Sequence, residues 1–100
     1  MAGQASISTD ILARYAADAA REVDGVRGLA ESPLPGRHAV RIGGADAAVR
    51  VEIHVVVDWG ASIPAVGRRV QERVREYLGS MADVEPAAVD VVVDGLGPQP

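Results

Sequence analysis

The stretch from Ala48 to Gly79 constrains the fold more than any other part of the chain. Val49, Val51, Ile53, Val55 and Val57 alternate with Arg50, Glu52, His54, Val56 and Asp58. Apolar residues at every second position describe a strand with one covered face and one wet face. A slip of one residue would turn the whole set over, so the register is strongly specified. Trp59-Gly60 ends the strand and Ser62-Ile63-Pro64 opens a helix. Ser62 supplies an N-cap, and Pro64 is tolerated in a first turn. Ile63, Val66, Gly67, Val70, Val74, Tyr77 and Leu78 form the apolar stripe of this helix, and Gly79 is its expected C-cap. Gly67 on the stripe is expected to let the helix approach the sheet closely. The outer face carries Arg68, Arg69, Glu72, Arg73, Arg75 and Glu76, with Arg68 and Glu72 spaced for an ion pair.

The rest of the chain supplies partners for that unit. Residues 1–6 read as a flexible tail. Ser8 caps a first helix with Asp10 in its first turn, and Ile7 is placed to staple against Leu12. Leu12, Tyr15, Ala16, Ala19 and Val23 share one face of this helix, and Asp24-Gly25 stops it. Val26 to Ala30 reads as a first strand, and Ser32 to Gly36 as a proline-rich loop. His38 to Ile42 reads as a second strand, turned by Gly43-Gly44-Ala45-Asp46 into the long one. One in-phase register sets Arg41 opposite Glu52. Val89 to Asp94 reads as the last strand, and the residues from Gly95 onward are expected to be loose, with 97–100 as a tail. The expected fold is α+β: a two-layer sandwich with two helices on one face of a four-stranded sheet, in the order αβββαβ, as a single domain over residues 7–96.

Composition narrows the function. A net charge of −4 argues against general binding of polyanions, so no nucleic acid is expected. With no cysteine there is no disulfide and no thiolate metal site. No segment is apolar for long enough to span a bilayer, and the N-terminus has no secretory pattern. A cytoplasmic location suits these features.

Chemistry is sparse. His54 lies on the polar strand face near Glu52 and Asp58, where a metal or acid–base role is conceivable. His38 has the opposite parity in a regular hairpin and does not converge with it, so a solvated histidine is the favoured reading. Asp90, Asp94, Glu52 and Asp58 can gather on the same face, but an open face is not expected to separate their pKa values. Gly25-Val26-Arg27-Gly28 has the GxxG pattern of the backbone-clamping loop in KH domains. A small KH-like RNA-binding module is therefore the alternative reading. That loop joins two helices in KH domains, however, whereas here it lies between a helix and a strand.

The chain resembles the alkaline shock protein family of small bacterial envelope-stress proteins. The likeness rests on Ile7-Ser8, the alanine-rich helix, and Glu22-Val23-Asp24-Gly25-Val26-Arg27-Gly28-Leu29. It continues through the valine-rich strand into Trp59-Gly60-Ala61-Ser62-Ile63-Pro64, then Val66, Val70-Gln71, Val74 and Val89 to Val93. Trp59 stands where the family usually has Tyr. Met81-Ala82-Asp83-Val84 replaces a segment that usually reads Met-Thr-Gly-Leu. The resemblance implies a non-enzymatic, cofactor-free cytoplasmic protein that forms homo-oligomers and associates with membranes through a small membrane-anchored partner. The surfaces offered for such contacts are Trp59, the arginines Arg68, Arg69, Arg73 and Arg75, and the wet strand residues Arg50, Glu52 and His54.

Overall fold

A computed structural model describes residues 8–30, 39–44 and 48–98. The element order is α1 (Thr9–Arg21), β1 (Val26–Leu29), β2 (Val40–Gly43), β3 (Arg50–Val57), α2 (Ile63–Ala82) and β4 (Ala88–Leu96). This is the αβββαβ order expected from the sequence. Both helix starts form as read. The Ser8 hydroxyl accepts from the Ile11 N–H at 3.2 Å, and the Ser62 hydroxyl accepts from the Ala65 N–H at 3.3 Å. The staple expected from Ile7 lies outside the described residues.

β3 is the hub of a four-stranded mixed sheet. β4 runs parallel to it along its whole length, from Arg50 opposite Ala88 to Val57 opposite Leu96. β1 and β2 are both antiparallel to β3 and share its other edge: β1 lies against Val55 to Val57, and β2 against Arg50 to Ile53. At the junction between them, Ala30 N–H donates to the His54 carbonyl and His54 N–H donates to the Ala39 carbonyl. The expected pairing of Arg41 with Glu52 is present.

The alternation in β3 sets the burial. Val51, Ile53, Val55 and Val57 are fully buried, with Val66, Val70, Val74 and Leu78 of α2 and Ala16, Ala19 and Ala20 of α1. Each of the valine, isoleucine and leucine side chains among them contributes about 1.5–3 kcal/mol when removed from water. Among the described residues no polar or charged side chain is buried. Both helices cover the same face, and their seam is closed by Tyr15 edge-on to Tyr77, with ring centroids 5.9 Å apart. Arg73 lies over Tyr77 and reaches Glu22 at 2.6 Å, tying α2 to the end of α1.

Three local expectations are corrected. The second helix does not stop at Gly79 but runs one turn further, to a left-handed cap at Asp83 whose N–H donates to the Leu78 carbonyl. Gly79 in a helix costs less than an early termination that would leave Ala82 without its packing on the core. The last strand does not end at Asp94 but continues to Leu96, and the Gly97 N–H donates to the Val57 carbonyl at 2.6 Å. Gly67 is not a close-approach residue, since a Cβ there would meet nothing within 4 Å.

Gly25 is the glycine that the packing requires. It has φ +97° in the turn closed by the Val26 N–H on the Val23 carbonyl, and an added Cβ would lie 2.6 Å from Val66 Cγ2. Gly25→Ala is expected to destabilise the protein by about 1–3 kcal/mol. Gly67→Ala is expected to stabilise it by about 0.5–1 kcal/mol through helix propensity alone. Chemical denaturation of the two variants beside the parent checks both signs.

Candidate functional site

The sheet face away from the helices carries the even-numbered residues of β3, and there the structure builds a cluster. His54 Nε2 is 2.8 Å from Glu52 Oε2, and His54 Nδ1 is 2.8 Å from Asp94 Oδ2. An imidazole can donate from both nitrogens only when protonated, so this geometry holds an imidazolium between two carboxylates. The hydrogen bond to Glu52, then the one to Asp94, raises the His54 pKa above its ordinary value. The hydrogen bond from His54 holds Glu52 below its own. The sequence reading made His54 a solvated histidine, whereas the structure gives each of its ring nitrogens a carboxylate partner. Short charge-assisted hydrogen bonds outweigh the solvation that an exposed face provides.

The parallel register explains how Asp94 arrives. Val55 pairs with Val93 but Val56 pairs with Gly95, which leaves Asp94 as the extra residue of a bulge. A bulge re-aims its side chains, and here the carboxylate turns toward His54. A matching irregularity lies in β1, where Val26 pairs with Val57 and Gly28 with Val56. The intervening Arg27 reaches Asp58 at 3.6 Å. Asp58 is thus partnered by Arg27 and not by His54. The four carboxylates do not gather: Glu52 and Asp94 share His54, Asp58 takes Arg27, and Asp90 stays exposed. Among the described residues no group of three or more His, Cys, Asp or Glu side chains has a metal-holding arrangement.

The remaining candidate residues are scattered. Arg69 donates to the Asp24 carbonyl at 3.3 Å, and Arg75 to the Pro86 carbonyl at 2.8 Å. Arg73 is bound to Glu22 and Glu76. Arg68 and Arg50 are exposed, and no Arg68–Glu72 ion pair forms. Much of the arginine row therefore ties α2 to its own domain. His38 lies outside the described residues. Gly25 to Gly28 runs from the turn into β1, with the Gly25 carbonyl accepting from Asp58 N–H and Gly28 paired with Val56, so this backbone is committed to the sheet.

Trp59 is 48% exposed in the turn that follows β3. Ile63 at the start of α2 and Leu96 at the end of β4 are 43% and 45% exposed. All three sit at the carboxyl end of β3, because Leu96 pairs with Val57 and Ile63 follows the Trp59 turn. Sequence reasoning picked out Trp59 alone. The sequence pattern puts Ile63 on the apolar stripe of α2 and Leu96 in a loose segment after the last strand. Knowing that β4 is parallel to β3 would have placed Leu96 beside Trp59.

Comparison with known proteins places this geometry. A family model matches residues 1–98, that of a family with a cell envelope-related function. The chain belongs to the alkaline shock protein family. The uncharacterized protein YqhY of Bacillus subtilis is 29% identical over 104 residues, covering 94% of this chain and 77% of YqhY. The uncharacterized protein Spy1535 of Streptococcus pyogenes is 31% identical over 51 residues, 51% of this chain and 40% of that protein. Among solved structures, MamM CTD matches with a TM-score of 0.58 at 15% identity, covering 88% of this chain and 99% of that one. A MamM CTD variant in a copper form gives the same score and identity. At that identity the likeness concerns the fold. No described helix of this family member is long and apolar enough to cross a membrane.

The cluster makes a pH-dependent contribution to stability. A histidine with a raised pKa stabilises the fold fully below its unfolded value, near 6.5, and the contribution fades as pH rises through the folded value. A carboxylate with a lowered pKa stabilises above its ordinary value, 4.5, and loses this as pH falls through the lowered one. The cluster therefore contributes most between 4.5 and 6.5. His54→Gln is expected to cost on the order of 1 kcal/mol in that window and progressively less at alkaline pH. Thermal melts of parent and variant across pH test this, and a pH-independent gap between the two would refute it.

Proposed function

We propose that this chain is a non-enzymatic envelope-stress protein of the cytoplasm, acting through self-association and through docking to a small membrane-anchored partner. The observation that carries the reading is the exposed apolar group Trp59, Ile63 and Leu96 at one end of a domain whose family works at the cell envelope. Exposed aromatic side chains with aliphatic neighbours are the usual anchors of protein interfaces. Trp59 is the anchor in this proposal. Arg68, exposed near the start of α2, lies within reach of an acidic rim on the partner. Arg50, Glu52 and His54 belong to the open sheet face, which together with the sheet edges is the surface offered for self-association. Arg69, Arg73 and Arg75 contribute through the shape of α2, since their side chains already hold contacts within the domain.

The test is co-purification from the native cells with a tagged chain, beside light scattering of the purified protein over a concentration series. A small membrane protein should be retained by the parent and lost with Trp59→Ala. Truncation of a central tryptophan costs about 2 kcal/mol or more, roughly a 30-fold loss of affinity. Light scattering should show growth in mass with concentration. Equal retention by Trp59→Ala would remove the docking surface from the proposal, and a strict monomer at high concentration would remove self-association.

A further inference from the structure

The two edges of the sheet carry opposite charges at the same level, and they run in opposite directions. Glu52 of β3 pairs with Arg41 of β2 on one side and with Asp90 of β4 on the other. Arg41 and Asp90 therefore stand at one height on the open face, at opposite edges, and both are exposed. On the helix-covered face, Val55 pairs with Leu29 of β1 and with Val93 of β4. Leu29 and Val93 are only partly buried, because the helices leave both margins of the sheet incompletely covered.

We propose that the β4 edge of one molecule pairs with the β1 and β2 edge of a second copy, continuing the sheet from molecule to molecule. This deepens the self-association reading and rests on it. β4 is parallel to β3, whereas β1 and β2 are antiparallel to it. A second copy placed beside the first without rotation therefore presents an antiparallel neighbour to β4, with its helices on the same side. At zero stagger Asp90 meets Arg41 of the neighbour on the open face, and Val93 meets Leu29 of the neighbour under the helices. Opposite charges and apolar pairs set side by side across strands are the units that stabilise a ladder.

The backbone of β4 is ready for the contact. The Val89 carbonyl turns away from β3 and accepts from Gln71 Nε2 at 3.0 Å. Every second residue of a strand turns the same way, so Val91 and Val93 direct their N–H and C=O groups outward, while Asp90 and Val92 bond inward to β3. Charge selects the neighbour. Two β4 edges brought together antiparallel about Val92 would set Asp90 against Asp94 twice, placing like charges opposite each other. A β4 edge against a β2 edge avoids this. Such a contact is head-to-tail and leaves a free edge at each end, so it builds rings or open arrays and not a closed pair.

Sedimentation velocity over a concentration series tests the interface, with far-UV circular dichroism as the check on folding. Asp90→Arg and Arg41→Asp are each expected to raise the concentration needed for assembly by about tenfold or more. An equimolar mixture of the two variants should regain parental assembly, because each supplies the charge that the other now needs. Val91→Pro, which deletes one outward N–H while leaving the inward ladder, should fold and fail to assemble. If the parent assembles but the charge variants and Val91→Pro assemble equally well, this interface is overturned and self-association stands. An effect of Asp90→Arg without any effect of Arg41→Asp would overturn the head-to-tail arrangement. A parent that stays monomeric would overturn both this interface and the self-association on which it rests.

Discussion

The structure depends on one strand. β3 buries Val51, Ile53, Val55 and Val57 on one side under two helices, and every other strand pairs with it. With no phenylalanine and one tryptophan, the core is built from small branched and alanine side chains. Such a core gains its stability from fit over a continuous seam. The seam exists because α1 contributes alanines where α2 contributes valines and Leu78. Close packing of this kind transmits substitutions directly to the backbone, and Gly25 shows it: the turn after α1 has no room for one more carbon beside Val66.

Covering a single face leaves the other to chemistry of a different sort. Glu52, His54 and Asp94 form a stitch across two strands that uses charge where the opposite face uses burial. The imidazole is held at both nitrogens by carboxylates, Glu52 from its own strand and Asp94 from β4. Its evident effect is to fasten the bulged end of β4 to the centre of the sheet. The exposed apolar residues lie just beyond that fastening, at the carboxyl end of β3. A domain organised in this way presents an open sheet face and exposed apolar side chains, in keeping with a family whose function concerns the cell envelope.

Much of the architecture was legible in the sequence because it rests on periodicity. The alternation through Val49 to Val57, the helix stripe from Val66 to Leu78 and the caps at Ser8 and Ser62 all appear where residue types alone put them. The surface was legible only in part, for reasons that are equally physical. Periodicity says which face a residue occupies but not which strand lies next to it. The His54–Asp94 contact spans 40 residues and depends on a parallel register and a bulge, and no local pattern encodes either. Arg73 reads as solvated from its helix position, yet its partner Glu22 comes from another helix end. The Gly79 error has a similar origin. A local stop signal was overruled by the packing of the following turn on the core.

β4 completes the sheet from a distance. Arg50 and its partner Ala88 are 38 residues apart, with all of α2 between them. During synthesis β3 can meet β1 and β2 early, but its other margin stays bare until the helix and final strand have left the ribosome. For that interval the strand at the centre of the core is a template for stray pairing, and nascent-chain chaperones are the natural guardians of such a margin.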